Sequence, residues 1–272
     1  MELNNIVNIT TRAMRSVLAY IETGADYSAI TQKKERDVTR RFDLVAEEAL
    51  LRELHEQEMS ARVVSEEYGD RIVGKDPDCT LVFDPVDGST NVAIRFPYFC
   101  SSLAYAPKVE DVCISDITMG VIVTNTLDVY AAQHGAVRFN GASLTTEKAQ
   151  RHKPIIAGYS YGVPRVPYGL IELEKQCIVR IFGSIAYDLC NTAAGTLDAV
   201  VDTRGRLSSY DIAAGQLIVR ACGGMVTTEE GSPLDARVTD TRLSLICSTD
   251  AALHARIIEV LSRFAPTERD KL

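Results

Sequence analysis

The sequence predicts an α/β protein of the α+β kind, built as two lobes. Three observations support this class: helical apolar spacing at the start, short apolar strands with turn residues in the middle, and alternating strands and helices beyond about residue 150. The 272 residues suffice for one large domain or for two lobes that share a core.

The amino-acid composition and the net charge exclude several classes of protein. A hydrophobic content of 46% and a charged content of 24% are typical of a soluble globular protein, and no apolar run is long enough to cross a bilayer. The N-terminus lacks the pattern of a signal peptide, and the seven cysteines have no zinc or redox spacing, so we expect a reduced, cytoplasmic protein without membrane contact. A net charge of −8 argues against nucleic acid as a partner.

Two helices are predicted to open the chain. Apolar residues from Leu3 to Ile21 form a helical stripe that Gly24 ends. After a loop with the charge run "KKERD" at 33–37, a second helix is expected to begin at about Thr39, acting as its N-cap.

Short apolar strands follow, and we expect a largely antiparallel sheet with helices on one side. The loop Asn125-Thr126-Leu127 predicts a hairpin between the two strands that flank it. In chain order, the strand segments are "ARVVS", "TLVFD", "SSLAYAP", "MGVIVT", "DVYAAQ" and "VRFNGASL".

The polar segment "TTEKAQRHKP" predicts a boundary near residue 150. We therefore divide the chain into an N-terminal α+β lobe, 1–150, and a C-terminal α/β lobe, 151–272. Helices are predicted in the second lobe at about Ile185 to Ala194, over "DIAAGQLIVRACGG" and over "AALHARIIEVLSRF". Its strands are "IIAGYS", "CIVRIFG", "LDAVVD", "MVTTE" and "LSLICST".

The stretch "VFDPVDGST", residues 82–90, carries the strongest chemical signal. Asp84 ends a predicted strand, and Pro85 cannot continue a central strand, so the chain is expected to turn there. The turn would let Asp84 and Asp87 converge beside the Val86 carbonyl, an all-oxygen site that suits Mg²⁺ or Mn²⁺ rather than zinc. The simpler interpretation is an ordinary surface turn.

The following residues could bind an anion. Gly88 allows a close approach of the backbone, and the amides of Gly88 and Ser89 could face an anion if a helix begins there.

Other acids stand at element ends. Glu66 and Glu67 follow a strand, Asp211 precedes a helix, and Asp43 lies in the first turn of the second helix. Taken one at a time, they are explained equally well as polar loop residues, a helix N-cap and a first-turn acid.

In order and spacing, "SEE", "DPVDGSTN" and "YDIAAGQLIVRACGG" resemble the signature segments of the inositol monophosphatase and fructose-1,6-bisphosphatase superfamily, the lithium-sensitive, Mg²⁺-dependent phosphatases. The resemblance also covers "RFPYF" and "FNG". The stretches "VTRRFDLVAEEA" and "VVDTRGRLSSYDIAAG" look most like its archaeal, dual-activity branch. The resemblance implies a layered αβαβα sandwich, assembled as a homodimer and acting in carbohydrate metabolism.

The same resemblance implies a metal site of two to three Mg²⁺ ions, with Mn²⁺ as the alternative. Glu66, Asp84 and the Val86 carbonyl would hold one ion, and Asp84, Asp87 and Asp211 a second. A third would sit near Glu66, with Asp43 close by. The carboxylates would carry about four negative charges and a phosphate monoester about two more. Three divalent ions would balance them with about six positive charges.

The implied chemistry is attack by a metal-activated water without a phosphoenzyme. The catalytic residues would be Glu66, Ser89 and Asp87, with Ser89 standing where the family more often has threonine. The D-x-x-D spacing differs from the D-x-D of aspartyl-phosphate enzymes, and a Walker loop and a dinucleotide fingerprint are both absent from the sequence.

Substrate selection is expected from the second lobe. Arg180 and Arg204 are candidates for a distal phosphate, and Asp202 for sugar hydroxyls. A structural ion pair for Arg180 and an exposed loop charge for Arg204 remain open. The predicted substrate contacts together are Asp87, Gly88, Ser89, Arg180, Gly183, Ser184, Ile185, Asp202 and Arg204.

The leading hypothesis is a phosphomonoesterase acting on inositol-1-phosphate, fructose-1,6-bisphosphate or both. One alternative on the same scaffold is a 3′-phosphoadenosine 5′-phosphate or NADP(H) phosphatase. Another is an interaction protein of an RNA or transcription complex, against which the full acidic set argues.

Overall fold

The computed structural model describes residues 1–24, 26, 30–33, 38–147, 150–161 and 168–264. Seven α-helices occur in these ranges: α1 Leu3–Glu22, α2 Arg41–Glu56, α3 Ser89–Ala93, α4 Tyr168–Leu173, α5 Ile185–Ala194, α6 Ser209–Ala221 and α7 Ala251–Arg263. The strands are β1 Ile30–Lys33, β2 Val38–Arg40, β3 Ala61–Ser65, β4 Gly69–Val73, β5 Thr80–Asp87, β6 Cys100–Ala106, β7 Met119–Thr124, β8 Val129–Gln133, β9 Ala136–Phe139, β10 Ala142–Ser143, β11 Ile155–Tyr159, β12 Ile178–Arg180, β13 Ala199–Ser208, β14 Met225–Thr227 and β15 Thr241–Ser248.

Helices and sheets stack in the order αβαβα. The helices α1 and α2 pack on one face of an eight-stranded sheet, ordered β10-β9-β8-β7-β6-β5-β3-β4. On its other face lie α5 and α6, which also contact a five-stranded sheet ordered β12-β11-β13-β15-β14. The outermost layer is formed by α4 and α7. The expected layered sandwich is confirmed.

The centre of the molecule is the layer formed by α5 and α6. Its apolar residues belong to one core that includes side chains of both sheets, such as Val82 and Val200. At Gly120 on β7, an added Cβ would come within 3.0 Å of the Ala214 backbone on α6, so the absence of a side chain lets helix and sheet approach closely. The first sheet ends before residue 150 and the second begins after it, although the division into two lobes stays a prediction.

Several predicted boundaries hold and others shift. The hairpin through Asn125-Thr126-Leu127 and the helix Ile185–Ala194 are confirmed. The second helix begins at Arg41, with Arg40 rather than Thr39 at its N-cap. The sequence did not predict β4 or the short helix α3, and most of the "KKERD" run lies outside the described residues. No helix in the described ranges combines the length and apolarity needed to cross a membrane.

Candidate active site

A bulge in β5, rather than a turn, brings Asp84 and Asp87 together. The expected turn at Pro85 is wrong: β5 continues to Asp87 and stays paired with β6. Asp84 pairs with Ser102 and Asp87 with Cys100, so three steps on β5 oppose two on β6. The extra residue reverses the usual alternation, which places both aspartates toward the same cavity.

Glu66 reaches the same place through a parallel strand pair. Ser65 ends β3 opposite Phe83, and the Glu66 amide donates to the Phe83 carbonyl over 3.2 Å, so Glu66 lies beside Asp84. Glu67, the next residue, is held in place by side chains of α2 and β2. Its amide donates to the buried Glu47 carboxylate over 3.3 Å, and its own carboxylate accepts from Thr39 Oγ1. Glu67 therefore fixes the turn that carries Glu66.

The N-termini of α2 and α6 each hold one acid of the cluster, and the N-terminus of α5 holds a third, Asp87. The Asp43 carboxylate accepts from the Arg40 amide at the start of α2 over 2.7 Å, and the Asp211 carboxylate accepts from the Ser208 amide at the start of α6 over 2.7 Å. The interpretation of Asp211 as the N-cap is wrong, because Ser208 is the N-cap of α6 and Asp211 lies in its first turn, whereas Asp43 is a first-turn acid as expected. Both side chains accept from the N-cap amide and also lie in the acidic cluster. The positive ends of the helices lower the cost of gathering negative charge here.

Asp87 is anchored by the first turn of α5. One of its carboxylate oxygens, Oδ2, accepts from the Ser184 hydroxyl over 2.7 Å and from the Ala186 amide over 2.6 Å. Burial raises the pKa of Asp87 from 3.8 to about 6, although these hydrogen bonds oppose the rise. The Ser184 side chain is buried beneath Asp87 and does not line the cavity, whereas Gly183 and Ile185 do.

Asp84 is the electrostatic centre of the cluster. It is 2% exposed, and burial raises its pKa well above the ordinary value, with further contributions from Asp87, Asp211 and Asp43. Its Oδ1 atom is buried and has no hydrogen-bond partner among the described residues. A buried carboxylate surrounded by other carboxylates is costly unless a cation or a proton compensates it.

The donor set fits a hard divalent cation. We find only oxygen donors here: the carboxylates of the cluster and the Val86 carbonyl on the bulge, and Val86 lines the cavity. In the described part of the chain, no three His, Cys, Asp or Glu side chains lie close enough together to hold a metal ion as they stand. Mutual repulsion of the acids gives a physical reason for this open arrangement, and the unpartnered Asp84 oxygen is the atom that a cation would satisfy.

Gly88 and Ser89 form the beginning of α3 at the cavity wall. Gly88 has φ +94°, and an added Cβ would lie 3.0 Å from the Tyr98 carbonyl, so only glycine fits without strain. Ser89 is the first helical residue, and its hydroxyl accepts a hydrogen bond from the Arg40 guanidinium over 3.1 Å.

Arginines line the same cavity. The cavity encloses about 740 Å³, and its lining includes Glu66, Asp84 and Asp211 as well as Arg204, Arg206 and Arg242. We call these two groups of lining residues the acidic side and the arginine wall. The arginines of β13 reach it because pairing with β15 is interrupted between Asp202 and Leu207.

Arg204 is held rigidly at this wall. The Asp202 carboxylate is fully buried and accepts from Arg204 Nε over 2.9 Å and from Nη2 over 2.6 Å. The guanidinium carbon also lies 4.9 Å from the ring centre of Tyr159 and 4.3 Å from that of Tyr161. Asp202 itself does not line the cavity, so its carboxylate acts on Arg204.

Arg180 is not brought to the cavity. It ends the edge strand β12, and its side chain is exposed and donates to the Val179 carbonyl over 2.9 Å. Arg180 is the last residue of a short edge strand whose two preceding side chains are half-buried.

Sequence reasoning missed several cavity residues. Arg206 lies where the pairing of β13 with β15 is interrupted, and Tyr161 lies two residues after the end of β11, so strand alternation indicates neither. Arg242 has φ +67° at the start of β15, and no pattern in the sequence indicates that it reaches the cavity.

A buried network links this wall to the interior. The Asp188 carboxylate accepts from the hydroxyls of Tyr98 and Tyr159, each over 2.5 Å, and Asn191 donates to the Tyr98 oxygen over 2.9 Å. Burial raises the pKa of Asp188 from 3.8 to about 7. Tyr159 lines the cavity, so the network fixes the aromatic ring on which Arg204 rests.

Comparisons with known proteins show what the chain is similar to. The bifunctional NADP phosphatase/NAD kinase of Methanococcus maripaludis is 29% identical in an alignment of 251 residues, which covers 84% of this chain but only 44% of that protein. The fructose-1,6-bisphosphatase/inositol-1-monophosphatase of Thermococcus kodakarensis is 32% identical over 228 residues, 83% of each chain. A solved Pyrococcus horikoshii protein, described as having similarities to inositol-1 monophosphatase, superimposes with a TM-score of 0.78 and 26% identity, over 98% of this chain and 100% of that one.

The family itself is identified over nearly the full length. Residues 3–264 match the inositol monophosphatase family, whose members are metal-dependent phosphatases, typically with Mg²⁺. The match includes the acidic cluster and the arginine wall on the two sides of one cavity. The chain therefore belongs to the inositol monophosphatase family and is a hydrolase of phosphate monoesters.

Proposed function

We propose that the chain hydrolyses a sugar or polyol phosphate, with fructose-1,6-bisphosphate preferred over inositol-1-phosphate. One observation carries this preference: acids that fit a metal and a rigid arginine wall border the same cavity. A bisphosphate has one phosphate for the acids with their metal ions and a second that the arginines could bind, whereas a monophosphate offers the arginines no second anionic group.

The acids would bind Mg²⁺, with Mn²⁺ as the alternative. Glu66, Asp84, the Val86 carbonyl, Asp87 and Asp211 would hold two to three ions, with Asp43 beside them. When bound, the ions supply the positive charge that attracts phosphate and lowers the pKa of a water molecule.

The chain's own residues orient the reaction. Glu66 and the Ser89 hydroxyl would hold the attacking water in line with the phosphorus atom. The amides at the first turn of α3, those of Gly88 and Ser89, have no acceptor within the helix and would donate to the phosphoryl oxygens. Gly183 and Ile185 would contact the sugar at the start of α5.

A second candidate substrate class is a nucleotide with a ribose phosphate, such as NADP(H) or 3′-phosphoadenosine 5′-phosphate. Two observations favour it: the Methanococcus maripaludis relative is named for NADP phosphatase activity, and the Tyr161 ring at the cavity is 51% exposed. An exposed ring backed by a guanidinium could stack a nucleobase.

A phosphate-release panel tests these proposals. Purified protein with Mg²⁺ would be offered fructose-1,6-bisphosphate, inositol-1-phosphate, NADP⁺ and 3′-phosphoadenosine 5′-phosphate, and kcat/KM would be ranked. We expect fructose-1,6-bisphosphate to rank first and EDTA to abolish release. A higher kcat/KM for the nucleotides would select the second candidate, and no Mg²⁺-dependent release from any of them would overturn both.

Assembly and location follow the sequence-based expectations. We propose a cytoplasmic homodimer inhibited by Li⁺, which chromatography with light scattering and a LiCl titration would check. The role in an RNA or transcription complex stays an alternative that the phosphatase assay does not test.

A further inference from the structure

A guanidinium outside the acidic cluster contacts the proposed water-orienting serine. Arg40 lies at the N-cap of α2, and its Nη1 donates to Ser89 Oγ over 3.1 Å, across 49 positions of sequence. Within the described part of the chain, this is the one hydrogen bond of the Arg40 side chain, and its buried Nε has no partner. Within the described residues the guanidinium has no ion pair, so its one described contact is with Ser89. Arg40 itself is anchored through its backbone at the start of α2, where its amide donates to Asp43 Oδ2 over 2.7 Å.

The chemistry of the pair fixes the direction of the serine proton. A guanidinium has donors only, so Ser89 Oγ must be the acceptor. The hydroxyl proton and the second lone pair of Ser89 then point away from Arg40. These are the two groups that a serine can offer to a water molecule.

Serine needs such a restraint more than threonine does. A threonine side chain is branched at Cβ, which limits its χ1 angle, whereas the serine side chain rotates among three staggered positions. Ser89 is half-buried at the first position of a five-residue helix and receives little restraint from packing.

We propose that Arg40 is a positioning residue, whose hydrogen bond to Ser89 supplies the rotamer restraint that a β-methyl group would otherwise give. This inference rests on the proposed function, because it assumes that Ser89 orients the attacking water. It assigns Arg40 no contact with the substrate. Loss of Arg40 should therefore lower kcat and leave KM unchanged.

The test is a double-mutant cycle measured on the Mg²⁺-dependent reaction. Arg40→Ala should lower kcat about ten-fold, the size expected for a lost hydrogen bond with a charged donor. Ser89→Thr in the Arg40→Ala protein should restore kcat to within about three-fold of wild type, because the methyl group restores the rotamer. Ser89→Thr alone completes the cycle, and its kcat is the reference against which the rescue in the double variant is measured.

A matched control and a second readout separate positioning from other effects. Arg41→Gln removes a neighbouring arginine whose partner at the surface is Glu48, and it should leave kcat unchanged. The Mg²⁺ concentration for half-maximal rate should stay the same in Arg40→Ala, and so should the melting temperature to within a few degrees. Arg40→Lys keeps the charge but loses the planar fork and should show an intermediate rate.

The outcomes distinguish the inference from the proposed function. No Mg²⁺-dependent turnover by the wild-type protein would overturn the proposed function. An active wild type in which Arg40→Ala shifts only the half-maximal Mg²⁺ concentration, or in which Ser89→Thr gives no rescue, would overturn the inference and assign Arg40 an electrostatic role.

Discussion

The two sides of the cavity are built by opposite means. On the acidic side, four carboxylates are fixed by the first turns of α2, α5 and α6 and by one bulge in a central strand. On the arginine side, Arg204 and Arg206 leave the regular pairing of β13, and Arg242 has a left-handed backbone. Helix starts thus fix most of the groups that we propose for the reaction, whereas no helix start fixes the arginines that we propose for substrate selection.

The acidic side and the arginine side also differ in how their charges are compensated. Burial, and after it repulsion by the neighbouring acids, raises the pKa of Asp84, so this side is destabilised until its charge is compensated. Arg204 is compensated within the chain by Asp202 and two tyrosine rings, so the arginine side is complete without a ligand. We therefore expect substitutions on the first side to affect activity more than folding, and substitutions on the second side to affect substrate choice.

The largest effect is expected for Asp84→Asn. Loss of a carboxylate shared by the proposed metal sites should reduce kcat/KM at least about a thousand-fold in the phosphate-release assay. The melting temperature of the metal-free protein should stay the same or rise, because one of the repelling buried charges is gone. Asp76→Asn, at an exposed aspartate, is the matched control and should keep full activity. Retention of activity by Asp84→Asn would contradict the metal site.

The next effect concerns the arginine side. Arg204→Gln should raise KM for fructose-1,6-bisphosphate about a hundred-fold and change KM for inositol-1-phosphate less than about three-fold, since only the bisphosphate has a second anionic group. Steady-state kinetics on both substrates measure the difference. Equal losses on both substrates would mean that Arg204 supports the fold or the shared phosphate site instead.

Removal of divalent ions should expose the repulsion as a pH dependence. The folded-state pKa values of Asp87 and Asp188 are raised from 3.8 to about 6 and about 7, so the folded protein binds more protons than the unfolded protein between about pH 4 and 7. Stability in EDTA should therefore fall as the pH rises through this interval.

Thermal denaturation at pH 5 and pH 7.5 measures this effect. With Mg²⁺ the decrease should become smaller, because bound cations favour the ionised form of Asp87. Asp188 lies outside the metal set, so Asp188→Asn should reduce the pH dependence in both conditions. A melting temperature in EDTA that rises toward pH 7.5 would contradict the raised pKa values.

The sequence predicted the two sides unequally, for a physical reason. The acidic side rests on local patterns: Asp43 and Asp211 stand three residues after their N-caps, and Asp84 and Asp87 lie in one strand. The layered fold could be predicted with them. Whether these acids are the metal ligands stays a prediction, since the structure tests only their proximity.

The arginine side could be predicted only in part. Arg204 was expected in a turn-like segment, but its rigidity depends on Tyr159 and Tyr161, more than forty positions away. Asp202 was expected to face the sugar, and only the tertiary structure shows that Arg204 occupies both its oxygens. Interrupted strand pairing of this kind has no periodic signal in a sequence.

The smallest effect is expected for Arg180→Gln, which sharpens the comparison from outside the cavity. Arg180 and Arg204 lie on strands of the same sheet, yet Arg180 is exposed on the edge strand and Arg204 borders the cavity. An exposed side chain whose described hydrogen bond is to the neighbouring Val179 carbonyl contributes little to either stability or binding. Arg180→Gln should therefore keep kcat/KM for both substrates within about two-fold of wild type. A selective loss on the bisphosphate, as large as that of Arg204→Gln, would show that the arginine side extends to the edge of the sheet and that the cavity alone does not define the site.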